Sequence, residues 1–348
     1  MIARAADVAH GMSSPPRVPL SILDLSPASA GRTRRDALLD STRLAQAADR
    51  LGYARFWVAE HHGSETFMSS ATALLLGHLA QHTERIRLGS GGVMLPNHAP
   101  LMVAEYYGTL ATLYGDRFDL GLGRAPGTDP MTAAALRRGT GELDTFVQDV
   151  LDLHGYLADP DPDAPARVRA IPGEGTKVPL WMLGSSLGGA SVAAHLGLPF
   201  AFASHFAPQA LDAALTYYRE RFDASAPTAQ VPRPHVMAGV NVLVAPTQEE
   251  ADLLATTAQQ MAVRIRTGGR GPLDRPRAGY LDQLPPQIRA VVAEHQAVQA
   301  IGTPEQVVTQ LQAIVAAHDL DEVVTTTYTH DPEMRIRSYE LLAEAWQR

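Results

Sequence analysis

The chain has 348 residues, 45% hydrophobic and 19% charged, the composition of an ordinary globular protein with enough apolar material for a sizeable core. Its 29 Lys and Arg against 37 Asp and Glu leave a formal charge of −8, and no basic run is interleaved with aromatics, so nucleic acid is not an expected partner. The absence of cysteine excludes disulfides, thiolate metal sites, cysteine-ligated iron–sulfur clusters and cysteine nucleophiles.

Residues 1–16 read as a flexible leader without the apolar run of a signal segment, and no later stretch is apolar for long enough to span a bilayer. A cytoplasmic protein is therefore expected, with 17–348 as one domain. From Val18 onward, short apolar runs alternate with segments of helical period, the pattern of βα units on a parallel sheet. Strands are expected at 18–25, 55–59, 86–94, 118–122, 180–183, 200–203, 236–244 and 322–326. Thr33 and Asp36 have capping-box spacing ahead of a helix whose Ala37, Leu44, Ala48 and Leu51 share a face, and Gly52 ends it. Further helices are expected at 71–82, 103–113, 143–157 and 208–222, and Thr303-Pro304 with Gln306 starts another. Eight β/α repeats imply an α/β fold, a (β/α)8 TIM barrel, with insertions in the long connections after strands 4 (124–179) and 7 (245–321). Residues 159–165 (DPDPDAP) are irregular, and 267–279 (TGGRGPLDRPRAG) reads as a flexible candidate lid.

In such barrels the chemistry sits where strands end. The second strand runs into Glu60-His61-His62, which places a carboxylate and two imidazoles at the mouth; two hydrogen-bonded surface histidines are the plainer alternative. No metal site is expected, because adjacent histidines on an extended segment diverge. The third strand reads Gly89-Ser90-Gly91-Gly92-Val93-Met94, and so many glycines fit either a close backbone approach to a flat ring or a bulge at a barrel corner. Arg124 follows Gly121-Leu122-Gly123 at the end of the fourth strand, placed for an anion or for an ion pair with Asp119 or Asp129. After the fifth strand, Gly184-Ser185-Ser186-Leu187-Gly188-Gly189 opens a helix and forms a natural phosphate cradle. The same stretch satisfies G-x-S-x-G, so a serine hydrolase with Ser186 as nucleophile and His330 with Asp319 or Asp321 as partners is a rival reading. It leaves the glycine-rich strand and Arg124 without a role. No G-x-G-x-x-G dinucleotide fingerprint follows a strand.

Residues 53–62 (YARFWVAEHH), 89–96 (GSGGVMLP) and 115–124 (GDRFDLGLGR) resemble, in order and spacing, the bacterial luciferase-like flavin oxidoreductases, and 95–100 (LPNHAP) with 123–129 (GRAPGTD) resembles their luciferase-like monooxygenase branch. The resemblance implies a flavin-dependent monooxygenase that takes reduced FMN from a separate flavin reductase and reacts it with O2 through a C4a-peroxide. One oxygen would pass to a small organic substrate such as an aldehyde or an aromatic or polyketide metabolite. A deazaflavin-dependent dehydrogenase on the same fold is the alternative. By the same resemblance Gly91-Gly92 falls at a non-prolyl cis peptide against the flavin ring, Arg124, Ser185 and Ser186 at the phosphate, and Glu60 on the flavin side. Gly189 stands where some relatives have a hydroxyl residue. His61 falls on the histidine implicated in catalysis and is expected to move a proton or stabilise the peroxide, since an imidazole titrates near working pH. Asp24, His62 and Pro126 are expected along the substrate pocket, with Asp24 equally open to a structural role and His62 alternatively at a subunit interface. A homodimer through the helices near 71–82 and 103–113 is also implied.

Overall fold

A computed structural model describes residues 17–125, 128–136, 142–163, 166–295 and 297–348. The leader 1–16, Pro126 and the end of the 159–165 stretch therefore lie outside the described residues. The strands are β1 (Leu20–Asp24), β2 (Arg55–Val58), β3 (Arg87–Met94), β4 (Phe118–Gly123), β5 (Leu180–Gly184), β6 (Phe200–Phe202), β7 (Val236–Val244), β8 (Gln299–Gly302) and β9 (Glu322–Thr326). All pairings among them are parallel, in the order β6-β5-β4-β3-β2-β1-β9-β7-β8, and β6 pairs with β7 to close the ring. Eight strands thus form the closed barrel of a (β/α)8 fold. The ninth, β8, was not foreseen: it pairs with Asn241–Val244, the part of β7 that runs past the barrel, while β9 pairs with Met237–Asn241.

The helices are α1 (Arg34–Leu51), α2 (Thr72–Ala80), α3 (Pro100–Tyr114), α4 (Pro130–Ala135), α5 (Glu142–Leu157), α6 (Leu187–His195), α7 (Leu211–Arg221), α8 (Gln248–Arg266), α9 (Pro286–His295), α10 (Pro304–His318) and α11 (Pro332–Gln347). The connection after β4 carries α4 and α5, and the one after β7 carries α8, α9, β8 and α10. The sequence signals for α1 are realised: Thr33 and Asp36 form a reciprocal capping box, and Gly52 ends the helix at φ 79°.

Alternation along each strand divides the apolar residues between two cores. Ile22, Phe56, Leu88, Phe118 and Leu120 face the helices, whereas Leu23, Trp57, Trp181, Ala201, Met237 and Val324 fill the barrel. Beneath the inner cluster lies a polar floor. Asp119 accepts from Arg55 Nη1 (2.7 Å), Arg87 Nη2 (2.8 Å) and Trp57 Nε1 (3.2 Å), and Glu322 accepts from Arg55 Nε (3.0 Å) and the Ser21 hydroxyl. Each buried carboxylate is met by a cation and further donors, so this end of the barrel is sealed by a satisfied network. The cavity opens at the other end, where the strands finish.

The segment 267–279, read as flexible and a candidate lid, is fastened down. Leu273 is fully buried, its N–H donates to Ala28 O (2.7 Å) and its carbonyl accepts from Ala30 N (2.9 Å). Gly271 O accepts from Thr66 Oγ1 (2.6 Å), and Asp274 O from Thr257 Oγ1 (3.1 Å). These bonds tie the segment to the loops after β1 and β2 and to α8.

Candidate active site

A cavity of about 1150 Å3 occupies the C-terminal end of the barrel. Gly91 and Gly92 form part of its wall, and their peptide bond is cis. Here β3 slips against β4: Ser90 is opposite Leu120, but the next pair is Val93 opposite Leu122. A side chain has no room at either glycine, since a Cβ at Gly91 would lie 2.6 Å from Leu23 Cδ1 and one at Gly92 would lie 2.8 Å from Gly121 O. The bulge reading of the glycine-rich strand is therefore realised, and the strand presents bare backbone to the cavity.

Glu60 holds this backbone from behind. It is fully buried and does not line the cavity. Its carboxylate accepts from His62 Nε2 (2.7 Å), Asn97 Nδ2 (2.9 Å), His98 Nε2 (3.0 Å) and Met94 N (3.0 Å), while its own N–H donates to Gly92 O (3.3 Å). Burial pushes the Glu60 carboxyl up, but the hydrogen bond and charge of His98, with the bonds from Asn97 and His62, outweigh it and leave it below the usual carboxylate range. The expectation that Glu60 lies on the cofactor side is corrected: it is absent from the cavity wall, its oxygens are engaged by His62, Asn97, His98 and the Met94 N–H, and it positions the Gly91-Gly92 strand. His62 is likewise turned to Glu60 and does not line the cavity, which removes it from the substrate pocket.

His61 does line the cavity. Its ring packs against Phe67 (centroids 5.2 Å apart), and Nδ1 is buried without a hydrogen-bond partner. Burial pushes the imidazole down to about 4, against a smaller upward pull from Glu60. The anticipated titration near working pH is thus corrected: His61 is neutral at pH 7 and offers one donor and one acceptor nitrogen.

On the opposite side, Arg124, Ser185, Ser186 and Gly189 line the same cavity. Ser186 is the N-cap of α6 in extended conformation, yet its side chain makes no capping bond, so the first-turn N–H groups of α6 lack a side-chain acceptor. The α6 turn lies close to β5: a Cβ at Gly189 would sit 2.9 Å from Gly184 Cα, so backbone contact requires glycine there. A Cβ at Gly188 would lie 2.9 Å from Arg124 Nη2, which puts the guanidinium over the start of α6. Neither carboxylate considered for Arg124 pairs with it, because Asp119 is held in the floor and Asp129 faces Arg270 at 3.6 Å.

Two alternatives left open by the sequence are decided by burial and bonding. Asp24 is wholly buried away from the cavity, bonded to Arg335 Nη2 (2.7 Å) and Ser26 N (3.1 Å); it is a structural ion pair, not a pocket residue. The hydrolase partners are scattered. His330 Nε2 donates to Ala30 O (2.9 Å), Asp321 accepts from Val236 N (2.8 Å) at the start of β7, and Asp319 caps α10; none lines the cavity with Ser186. Sequence reasoning missed the α8 wall, with Ala258, Met261, Ala262 and Ile265, and also Gln299 on β8. The helical period of 248–266 was the available signal for the former; a four-residue strand containing glycine left none for the latter. Among the described residues no group of three or more His, Asp or Glu is arranged to hold a metal ion, and no helix is long and apolar enough to cross a membrane.

The geometry defines a (β/α)8 barrel enzyme with its site at the mouth. The chain belongs to the luciferase-like monooxygenase family, whose model matches residues 18–319, and so stands among oxidoreductases. It is 43% identical over 325 residues to a luciferase-like monooxygenase of Escherichia coli, covering 93% of this chain and 96% of that one. Identity to the N-acetyl-S-alkylcysteine monooxygenase of Bacillus subtilis is 32% over 332 residues, covering 94% and 97%. Among solved structures it is similar to apo-MsnO8, with a TM-score of 0.85 and 35% identity, covering 95% of this chain and 98% of that one.

Proposed function

We propose that the protein is an FMN-dependent monooxygenase that takes reduced FMN from a separate flavin reductase and oxygenates a small organic substrate, such as an aldehyde or an aromatic or polyketide metabolite. The observation that carries this reading is the placing, in one cavity, of a side-chain-free strand edge at Gly91-Gly92, a buried unpartnered His61 Nδ1, and an anion clasp of Arg124, Ser185, Ser186 and the α6 N-terminus. These residues fit the group. A flat ring needs backbone without Cβ atoms, and a phosphate needs a guanidinium with hydroxyl and N–H donors. When bound, reduced FMN supplies the electrons that activate O2 for transfer of one oxygen atom to the substrate.

The protein's part is to bind, orient and exclude water. Arg124 and the serine turn hold the phosphate. Glu60 braces the Gly91-Gly92 edge through Gly92 O and Met94 N. Leu25, Phe67 and Tyr328, with the α8 wall, line the mouth and keep bulk water away. His61, being neutral, can take a proton at one ring nitrogen while donating from the other. We further propose a homodimer through α2 and α3, supported by the exposure of Leu74 (79%), Leu113 (67%), Met102 (47%) and Tyr106 (44%); sedimentation of a Leu74→Glu/Leu113→Glu variant as a monomer would bear this out.

Anaerobic titration with reduced FMN and with riboflavin, followed by O2 uptake, tests the reading. Wild type is expected to bind FMN, and Arg124→Gln to weaken it by about ten- to a hundredfold while leaving riboflavin little changed. Indifference to flavin, or unaltered FMN binding by Arg124→Gln, overturns the proposal; preferential binding of a deazaflavin without O2 uptake replaces it with the dehydrogenase reading.

A further inference from the structure

Among the described residues the wall of the cavity contains no Asp or Glu, although the chain as a whole carries a net charge of −8. Its two permanently charged side chains among the described residues are both arginines, Arg124 on the loop after β4 and Arg266, exposed in the last turn of α8. One phosphate accounts for the first and leaves the second. The neighbours of Arg266 are engaged: Arg264 bonds to the Asp274 carboxylate and Pro272 O, and Arg270 lies 3.6 Å from Asp129. Arg266 has no carboxylate partner among the described residues. The α8 C-terminus offers it only about half a unit of negative charge, shared with Arg264.

We infer that Arg266 receives the anionic group of the substrate, and that the substrate class is a monoanion, a carboxylate or sulfonate, with an apolar body. The body has its place. Met261, Ala262 and Ile265 lie within the preceding turn and a half of α8 and line the same cavity, so a chain anchored at Arg266 runs along an apolar helix face toward the barrel. The pair Leu243 and Ile301, directly opposite in register on the β7–β8 ribbon, adds a further apolar part of the wall. A cation at the rim also discriminates against amines, which would meet arginine and, among the described residues of the wall, no carboxylate.

This inference rests on the substrate sharing the cavity proposed for the flavin, and the test separates the two. Octanoate and 1-octanol are titrated against the full chain by tryptophan fluorescence, Trp57 being part of the cavity wall. The host is the Arg124→Gln variant, in which Arg266 is the remaining permanently charged side chain among the described residues of the wall. Octanoate is expected to bind about tenfold tighter than octanol, a preference that the Arg124→Gln/Arg266→Gln variant loses and Arg266→Lys largely keeps. Equal binding of the two probes, or a preference that survives in the double variant, overturns the inference. So does a loss of FMN affinity in Arg266→Gln as large as that in Arg124→Gln, which would assign both cations to the cofactor. Failure of wild type to bind FMN, with the octanoate preference intact, would instead remove the flavin reading and leave the anion site standing.

Discussion

The neutral state of His61 has a measurable consequence. Its imidazole, ordinarily at 6.5, is pushed down to about 4, chiefly by burial. The folded value is lower than the unfolded one, so as pH falls the unfolded chain takes up the proton first. The stability associated with neutral His61 is fully present above 6.5 and is lost as pH falls from there toward 4. In that window each pH unit costs about 1.4 kcal/mol, which amounts to about 2 kcal/mol by pH ~5. His61→Gln retains a polar side chain that does not titrate. Chemical denaturation of the cofactor-free protein at pH ~7 and ~5 should show wild type losing about 2 kcal/mol more than the variant, since the other carboxylates and histidines act alike in both and cancel. Equal losses, or an NMR titration that places His61 near its ordinary value, would refute the argument that burial governs this ring. The same measurement bears on catalysis: an acidic limb of activity at pH ~6.5 would have to come from another group.

Glu60→Gln turns an amide N–H toward donors that now meet a carboxylate, and should cost about 3 kcal/mol while flattening the loss of stability below the carboxyl's ordinary 4.5, because the depressed folded value is then gone; denaturation across pH measures both. Asp24→Asn leaves the Arg335 guanidinium buried with its charge uncompensated and should cost about 3–5 kcal/mol in thermal or chemical unfolding. FMN affinity of the folded fraction should stay the same, and a fall in affinity would return Asp24 to the pocket. Gly189→Ala puts a Cβ against Gly184 Cα, lifts the first turn of α6 from β5 and should destabilise by about 1–3 kcal/mol. FMN binding should suffer more than riboflavin binding, and equal effects on both would disconnect this turn from the phosphate.

The eight barrel strands were legible because parallel strands covered on both faces read as apolar runs, and their observed limits differ from expectation by two residues or fewer. The helix expected over 208–222 begins instead with a 3-10 turn at Pro208–Ala210 before α7. The ribbon strand β8 escaped for a physical reason. Gln299–Gly302 is four residues long and pairs on one side only, with the overrun of β7, so no double burial makes it continuously apolar.

The site was legible to the extent that its chemistry is local in the chain. Gly91-Gly92 and the Ser185–Gly189 turn are contiguous backbone devices, and their glycines mark places where a Cβ would collide; a reader of residue types can infer crowding from them. What a carboxylate does is decided by neighbours the chain order hides. Asp24 ends β1, Glu60 lies two residues past β2, and both looked available at the mouth, yet Asp24 meets Arg335, 311 residues away, and Glu60 meets Asn97 and His98 across β3. The barrel forces this result. With the interior above the floor filled by Leu23, Trp57 and Trp181, an acidic side chain at a strand end either faces an apolar cavity unpaired or turns outward to a cation, and burial decides for the second. The consequence, among the described residues, is a cavity wall without a carboxylate.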